Sequence, residues 1–182
     1  MSSKGHCSWY GIQCVARDND EEESGISKTY DDNDHITAIG MTKNGMEGTI
    51  PPEFQSLSNT QTIDMSENTI SGSLPEFHPS LKYLLLKQNA LAGSIPESIS
   101  ELKNLHGLDL SKNRFKGTLP ESFRQLQELR YLLLSGNVLV GKFPDVSNFS
   151  KLSKLHLDDN SLSGSLPTYI ESFTRLSKFL IG

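Results

Sequence analysis

Apolar residues recur along this chain in pairs with one residue between them. The pairs are Ile39/Met41, Ile63/Met65, Leu84/Leu86, Leu108/Leu110, Leu132/Leu134 and Leu155/Leu157, and Phe179/Ile181 begins another. Alternation of period two marks a short half-buried strand. Three residues after each complete pair stands an asparagine: Asn44, Asn68, Asn89, Asn113, Asn137 and Asn160, at spacings of 24, 21, 24, 24 and 23. Each asparagine is followed by a glycine four residues on (Gly48, Gly72, Gly93, Gly117, Gly141, Gly164) and a proline seven residues on (Pro51, Pro75, Pro96, Pro120, Pro144, Pro167). An apolar residue precedes each proline: Ile50, Leu74, Ile95, Leu119, Phe143 and Leu166.

A fixed period over six units predicts a solenoid of stacked coils. The paired apolar residues then point inward. The asparagine follows the strand, where its amide can both donate to and accept from backbone groups left unpaired by a buried turn. The glycine fits a bend or a close backbone approach. The proline ends the short extended piece. Segments such as ESISELKNL are left to cross the back as a short helix or 3₁₀ turn. One unit, SLPEFHPSLKYL, is short by three residues and carries Pro79, which predicts a flattened convex turn.

Composition narrows the class without changing the architecture. Hydrophobic residues make up 35% and charged residues 21%, as in a folded soluble chain. No apolar run approaches the roughly 18 residues of a membrane span. The net charge is −5, and residues 1–35, with three basic and eight acidic residues, carry all of it. Residues 36–182 balance at 14 of each sign, so nucleic-acid binding has no electrostatic footprint.

The repeated lines LKYLLLKQNALAGSIPESISEL and LHGLDLSKNRFKGTLPESFRQL resemble the leucine-rich repeat in its plant-type, 24-residue class. The stretch Cys7-Ser8-Trp9-Tyr10-Gly11-Ile12-Gln13-Cys14 is similar to the cap that opens extracellular members, and its Trp-Tyr-Gly wording to repeat proteins of diatoms and related algae. The resemblance implies an α/β solenoid, a right-handed superhelix with a parallel concave β-sheet, a second short sheet and short back-crossing turns. It implies a cap with an acidic loop over 1–35, and over 36–182 six complete repeats plus the start of a seventh. It also implies a Cys7–Cys14 disulfide and hence an oxidising compartment. Two free thiols in a cytosolic protein are the other reading of these cysteines.

No secretory signal opens the chain and no polar cap closes it, which reads as a piece of a longer secreted or cell-surface protein. The acidic stretch RDNDEEESGISKTYDDNDH reads as a solvated flexible loop. A calcium site there would need glycine where Glu23 stands.

Solenoids bind along the concave face. The residues facing it inside each pair are Gly40, Asp64, Leu85, Asp109, Leu133, His156 and Leu180; two residues earlier come Ala38, Thr62, Tyr83, Gly107, Tyr131, Lys154 and Lys178. The candidate partner-binding residues are Tyr83, Leu85, His106, Asp109, Tyr131, Leu133, Lys154 and His156. Tyr83/Leu85 and Tyr131/Leu133 place aromatic and aliphatic groups where the scaffold does not need them, and Gly107 leaves a gap between them. The expected ligand is a protein or peptide, or else a glycan. The other reading is a structural subunit held in a larger assembly, such as a membrane-protein supercomplex in an oxidising organelle lumen, or a cell-wall component. Asn148-Phe149-Ser150 is a candidate glycosylation site. The enzyme signatures G-x-S-x-G, P-loop and H-E-x-x-H are missing, and no metal or cofactor is expected. His156 beside Asp158 and Asp159 is the nearest approach to a catalytic group, and it lacks a nucleophile.

Overall fold

The computed structural model describes residues 7–9, 12–14, 26–30, 36–165 and 168–181. Each apolar pair closes around a short strand, and these strands stack side by side. One eight-stranded sheet contains β3 (Ile26–Tyr30), β4 (Ile36–Met41), β6 (Thr62–Asp64), β8 (Tyr83–Leu85), β10 (Gly107–Asp109), β12 (Tyr131–Leu133), β14 (Lys154–His156) and β16 (Lys178–Leu180), in chain order. From β4 onward the pairing is parallel, and equivalent residues align: Leu84, Leu108, Leu132 and Leu155 lie in one row. That row is at most 1% exposed, and the second members of the same pairs, Leu86, Leu110, Leu134 and Leu157, are at most 2%. The expected concave sheet is therefore formed as the periodicity required.

A second sheet runs alongside, built from β5 (Glu47–Thr49), β7 (Thr69–Gly72), β9 (Ala90–Gly93), β11 (Arg114–Gly117), β13 (Val138–Gly141) and β15 (Ser161–Leu162). Its register is stepped. Lys116 pairs with Val138, and Val140 pairs with Ser161, so a late position on one strand meets an early one on the next. The glycines that end or follow these strands all take a positive φ, between 80° and 105°. At Gly141 a Cβ would also lie 2.8 Å from Thr118 Cγ2 of the preceding coil. Both left-handed backbone and close approach select glycine here.

Between the sheets the asparagines form a ladder. Asn137 Oδ1 accepts from the Phe115 amide at 3.0 Å, while its Nδ2 donates to the carbonyls of Leu110 at 3.0 Å and Leu134 at 2.9 Å. Asn68, Asn89, Asn113 and Asn160 repeat this bonding, each tying its own coil to the one before. Only a side chain that donates and accepts can satisfy both kinds of orphaned backbone group. The residue before the asparagine is left-handed as well (Lys43, Glu67, Gln88, Lys112, Gly136, Asp159), a requirement the repeated pattern does not display.

The convex side is closed by 3₁₀ turns at Pro52–Ser56, Glu97–Glu101, Glu121–Gln125 and Thr168–Ser172, the first three starting directly after the repeat proline. Phe54, Ile99 and Phe123 project from them into the core. The shortened crossing has no such turn. Phe77 fills the space instead, meeting Phe54 edge-on at 6.5 Å, and Asn104 Nδ2 from the next coil holds the Pro79 carbonyl at 3.1 Å.

One expectation needs correction. Part of the acidic stretch, Ile26–Tyr30, is a strand paired antiparallel with β4, from Ile26 opposite Met41 to Tyr30 opposite Ile36. The sequence ISKTY alternates β-branched and polar residues, which favours a pleated edge over a loop. It covers the first edge of the concave sheet. At the cap, β1 (Cys7–Trp9) and β2 (Ile12–Cys14) form a hairpin in which Cys7 stands opposite Cys14. The calcium reading of Asp18 to Glu23 falls outside the described residues.

Candidate functional site

The concave face is set by the register. Gly107 on β10 pairs with Tyr83 on one side and Tyr131 on the other, and Asp109 pairs with Leu85 and Leu133 in the same way. The next strand places Lys154 beside Tyr131 and His156 beside Leu133. The eight candidate residues thus lie on four neighbouring strands and their rim. All of them are half-buried apart from Lys154, which is exposed.

The expected gap at Gly107 is not open. The Tyr83 ring leans over this glycine, so that a Cβ there would meet Tyr83 Cδ1 at 2.9 Å and Tyr131 Cδ2 at 3.5 Å. Gly107 is buried by its two neighbours. A missing side chain between two rings lets the rings close over the backbone, because the apolar ring faces are better placed against Cα than in water. The result is an aromatic ridge with one ring on each side of Gly107. His106 extends it at the rim, edge-on to Tyr83 with centroids 5.8 Å apart, and Lys154 Nζ stands 5.1 Å over the Tyr131 ring.

The polar groups around the ridge are oriented by local bonds. Asp109 Oδ1 accepts from the Ser111 amide at 3.0 Å and from its hydroxyl at 2.5 Å, and Asp64 Oδ1 accepts from the Ser66 amide at 3.0 Å. Glu128, which lies 3.9 Å from His106 Nε2, is held by Lys151 Nζ at 2.6 Å from both oxygens. Burial, and next the Arg130 guanidinium, keep the His106 pKa below the ordinary histidine value. His156 is likewise lowered, first by burial and then by Lys178.

His156 Nε2 makes no hydrogen bond to Asp158. Asp158 Oδ1 takes the Ser135 hydroxyl at 2.5 Å, and His156 Nε2, buried beneath the face, has no hydrogen-bond partner among the described residues. Among the described residues no three metal-ligating side chains converge. No helix among them is long and apolar enough to cross a membrane.

Sequence reasoning missed the rim. Gln61, Lys82, His106 and Arg130 occupy one column immediately before the facing residues; Lys82 Nζ donates to Gln61 Oε1 at 2.8 Å. Only His106 stood out in the sequence, although the shared column position was available as a signal for the others. Asn148 lies outside this site, exposed on the back, with its Nδ2 donating to the Arg124 carbonyl at 2.5 Å.

Two family models match the chain: "Leucine rich repeat" over residues 79–139 and "Leucine Rich Repeat" over residues 151–173. Receptor-like protein 41 of Arabidopsis thaliana is 32% identical over 156 residues, covering 82% of this chain and 18% of that protein. The ectodomain of the Arabidopsis thaliana membrane receptor kinase GASSHO1/SCHENGEN3, solved with CASPARIAN STRIP INTEGRITY FACTOR 2, superposes with a TM-score of 0.77 at 32% identity. That match covers 80% of this chain and 18% of the ectodomain. The plant peptide hormone receptor RGFR1, solved with RGF2, gives a TM-score of 0.76 at 30% identity, covering 80% of this chain and 24% of that one. This chain spans 8% to 18% of the length of the first curated relatives it matches.

Proposed function

We propose that this chain, a leucine-rich-repeat protein of the plant type, is a non-enzymatic recognition module that takes up an extended protein or peptide segment along its concave face. The observation that carries the reading is the ridge of Tyr83 and Tyr131 closed over Gly107, with Leu85 and Leu133 beside it. None of these four side chains fills the core, and the rings are rigid and amphipathic, as hot-spot residues are. Two structural neighbours support the ligand class. RGFR1 is a peptide hormone receptor solved with RGF2, and GASSHO1/SCHENGEN3 was solved with an integrity factor.

The setting we propose is the secretory pathway and the cell surface. The opposed Cys7 and Cys14 support a disulfide made there, and the exposed Asn148 supports glycan attachment. Affinity capture from native extracts, comparing the wild type with a Tyr83→Ala/Tyr131→Ala double variant of matched thermal stability, tests the concave reading. A partner retained by the wild type and lost by the double variant is expected. Equal retention of every partner by both proteins would sink it.

A further inference from the structure

The first asparagine of the repeat column stands outside the ladder. Asn68, Asn89, Asn113, Asn137 and Asn160 each donate from Nδ2 to a carbonyl of the preceding coil. Before the coil of Asn44 the sheet holds β3, which runs antiparallel and lies outside the repeat. The Asn44 side chain makes no hydrogen bond among the described residues. Only its backbone amide is engaged, donating to Asn68 Oδ1 at 2.9 Å. The next residue is Gly45, and this is the one Asn-Gly step in the sequence. The Gly45 amide also has no partner among the described residues. Gly45 is exposed and Asn44 half-buried, and a Cβ added to Gly45 would meet nothing within 4 Å. An untied carboxamide, an untied amide nitrogen directly after it and open space beside that nitrogen coincide at this single step.

We propose that Asn44 is a site of spontaneous covalent modification, deamidation through a cyclic imide. Water or hydroxide takes the proton of the Gly45 amide, and the freed nitrogen attacks Asn44 Cγ. The Cγ–Nδ2 bond breaks and ammonia leaves. Water then opens the ring. Opening at Cγ gives aspartate, and opening at the backbone carbonyl gives iso-aspartate. The net change is loss of ammonia and gain of water, with no oxidant or reductant. Glycine favours the attack because it has no Cβ to obstruct the nitrogen. The other repeat asparagines are protected: Asn137, for example, would have to break three buried hydrogen bonds to turn its carboxamide toward the next amide. The iso-aspartyl product also alters the first coil. Asn68 Oδ1 accepts from both the Asn44 amide, at 2.9 Å, and the Met46 amide, at 3.0 Å. An iso-aspartyl link adds one main-chain carbon between these two amides, so a single acceptor no longer serves both. The first coil then loosens from the ladder while the later rungs stay intact.

Incubation of the folded chain at neutral to mildly alkaline pH, followed by peptide mapping with electron-based fragmentation, tests this. The expected result is conversion of Asn44 to aspartate and iso-aspartate, with Asn113 and Asn137 unchanged. The folded chain should react within about threefold of the rate of a synthetic peptide spanning residues 40–50, because a site held by structure reacts only when that structure opens. Asn44→Gln should remove the signal and keep the thermal midpoint of the wild type. A folded-chain rate about tenfold or more below that of the peptide overturns the proposal. Equal conversion of Asn113 or Asn137 overturns it too. Hydrogen exchange on the aged protein reads the consequence: the Met46 amide should exchange about tenfold faster or more, while the Phe115 and Leu139 amides keep their rates. Iso-aspartate at position 44 with unchanged exchange at Met46 overturns the loosening of the first coil.

Discussion

The Tyr83 ring packs over Gly107 so closely that a methyl group at position 107 would lie 2.9 Å from ring carbon Cδ1. The smallest residue of the concave face thereby organises its largest ones. Gly107→Ala should force the Tyr83 ring off the sheet and destabilise the protein by about 2 kcal/mol, the usual size of an overpacking strain. Equilibrium denaturation in urea checks this. Unchanged stability would mean that the ring is free to move and the ridge is not preformed.

Asn137 should be among the costliest polar positions to truncate. Asn137→Ala removes three hydrogen bonds and leaves the Phe115 amide and the Leu110 and Leu134 carbonyls without this partner. At 8% exposure, water cannot readily replace it. A loss of roughly 3 kcal/mol is expected, and Asn137→Asp should be no milder because it keeps the acceptor and discards the donor. An aspartate variant as stable as wild type would show that the two carbonyl contacts contribute little.

Acid should weaken the fold in two separate windows. The pKa values of His106 and His156 are held below the ordinary 6.5, chiefly by burial and then by Arg130 and Lys178 respectively. The unfolded chain then binds protons more readily than the folded one. The histidine contribution is complete above 6.5 and is lost as the pH falls below it. The Glu128 carboxyl is lowered from 4.5, first by its bond to Lys151, so its contribution persists to lower pH and disappears only beneath that value. Thermal midpoints measured from about pH 7 to about pH 3 should therefore fall in two steps. His156→Gln should flatten the upper one; an identical profile in this variant would remove His156 from the account.

Cys7 and Cys14 face each other across β1 and β2. In protein secreted from eukaryotic cells, no thiol should titrate before reduction and two should titrate after it. Reduction should lower the stability of the cap by about 2 kcal/mol, the loop-closure value for so short a ring. Two thiols titrating in the untreated, unfolded protein would establish the free form.

The left-handed glycine Gly141 meets Thr118 of the preceding coil. Gly141→Ala should cost about 2 kcal/mol from backbone strain and contact together, and Thr118→Ala in the same chain should recover only the contact part. Full recovery in calorimetry would show that φ is not under strain.

The repeat, the buried rows, the concave sheet and the asparagine ladder were legible in the sequence because each depends on one residue type recurring at one spacing, whereas the second sheet was implied only by the family resemblance. Periodicity averages over coils, so it reports what the coils share. Features belonging to a single coil escaped it. Ile26–Tyr30 lies outside the period and was read with its acidic flanks as a loop, although its alternation fits the edge strand it forms. Phe77 replaced a 3₁₀ turn in the shortened unit, a compensation visible only once Phe54 is seen beside it. Left-handed Lys43, Glu67, Gln88, Lys112 and Asp159 share no chemistry, so nothing in the letters marks their backbone.

For the candidate site, the sequence by itself determined which residues face the groove, because alternation along a strand assigns every side chain to one face or the other. It could not determine how neighbours on that face dispose themselves. Tyr83, Gly107 and Tyr131 are 24 residues apart in the chain and one strand step apart in space. Only tertiary stacking set Tyr83 and Tyr131 on either side of the glycine, placed Lys154 above Tyr131 and joined Ser135 to Asp158. Those outcomes depend on contacts between coils, and contacts between coils exist only when the solenoid is wound.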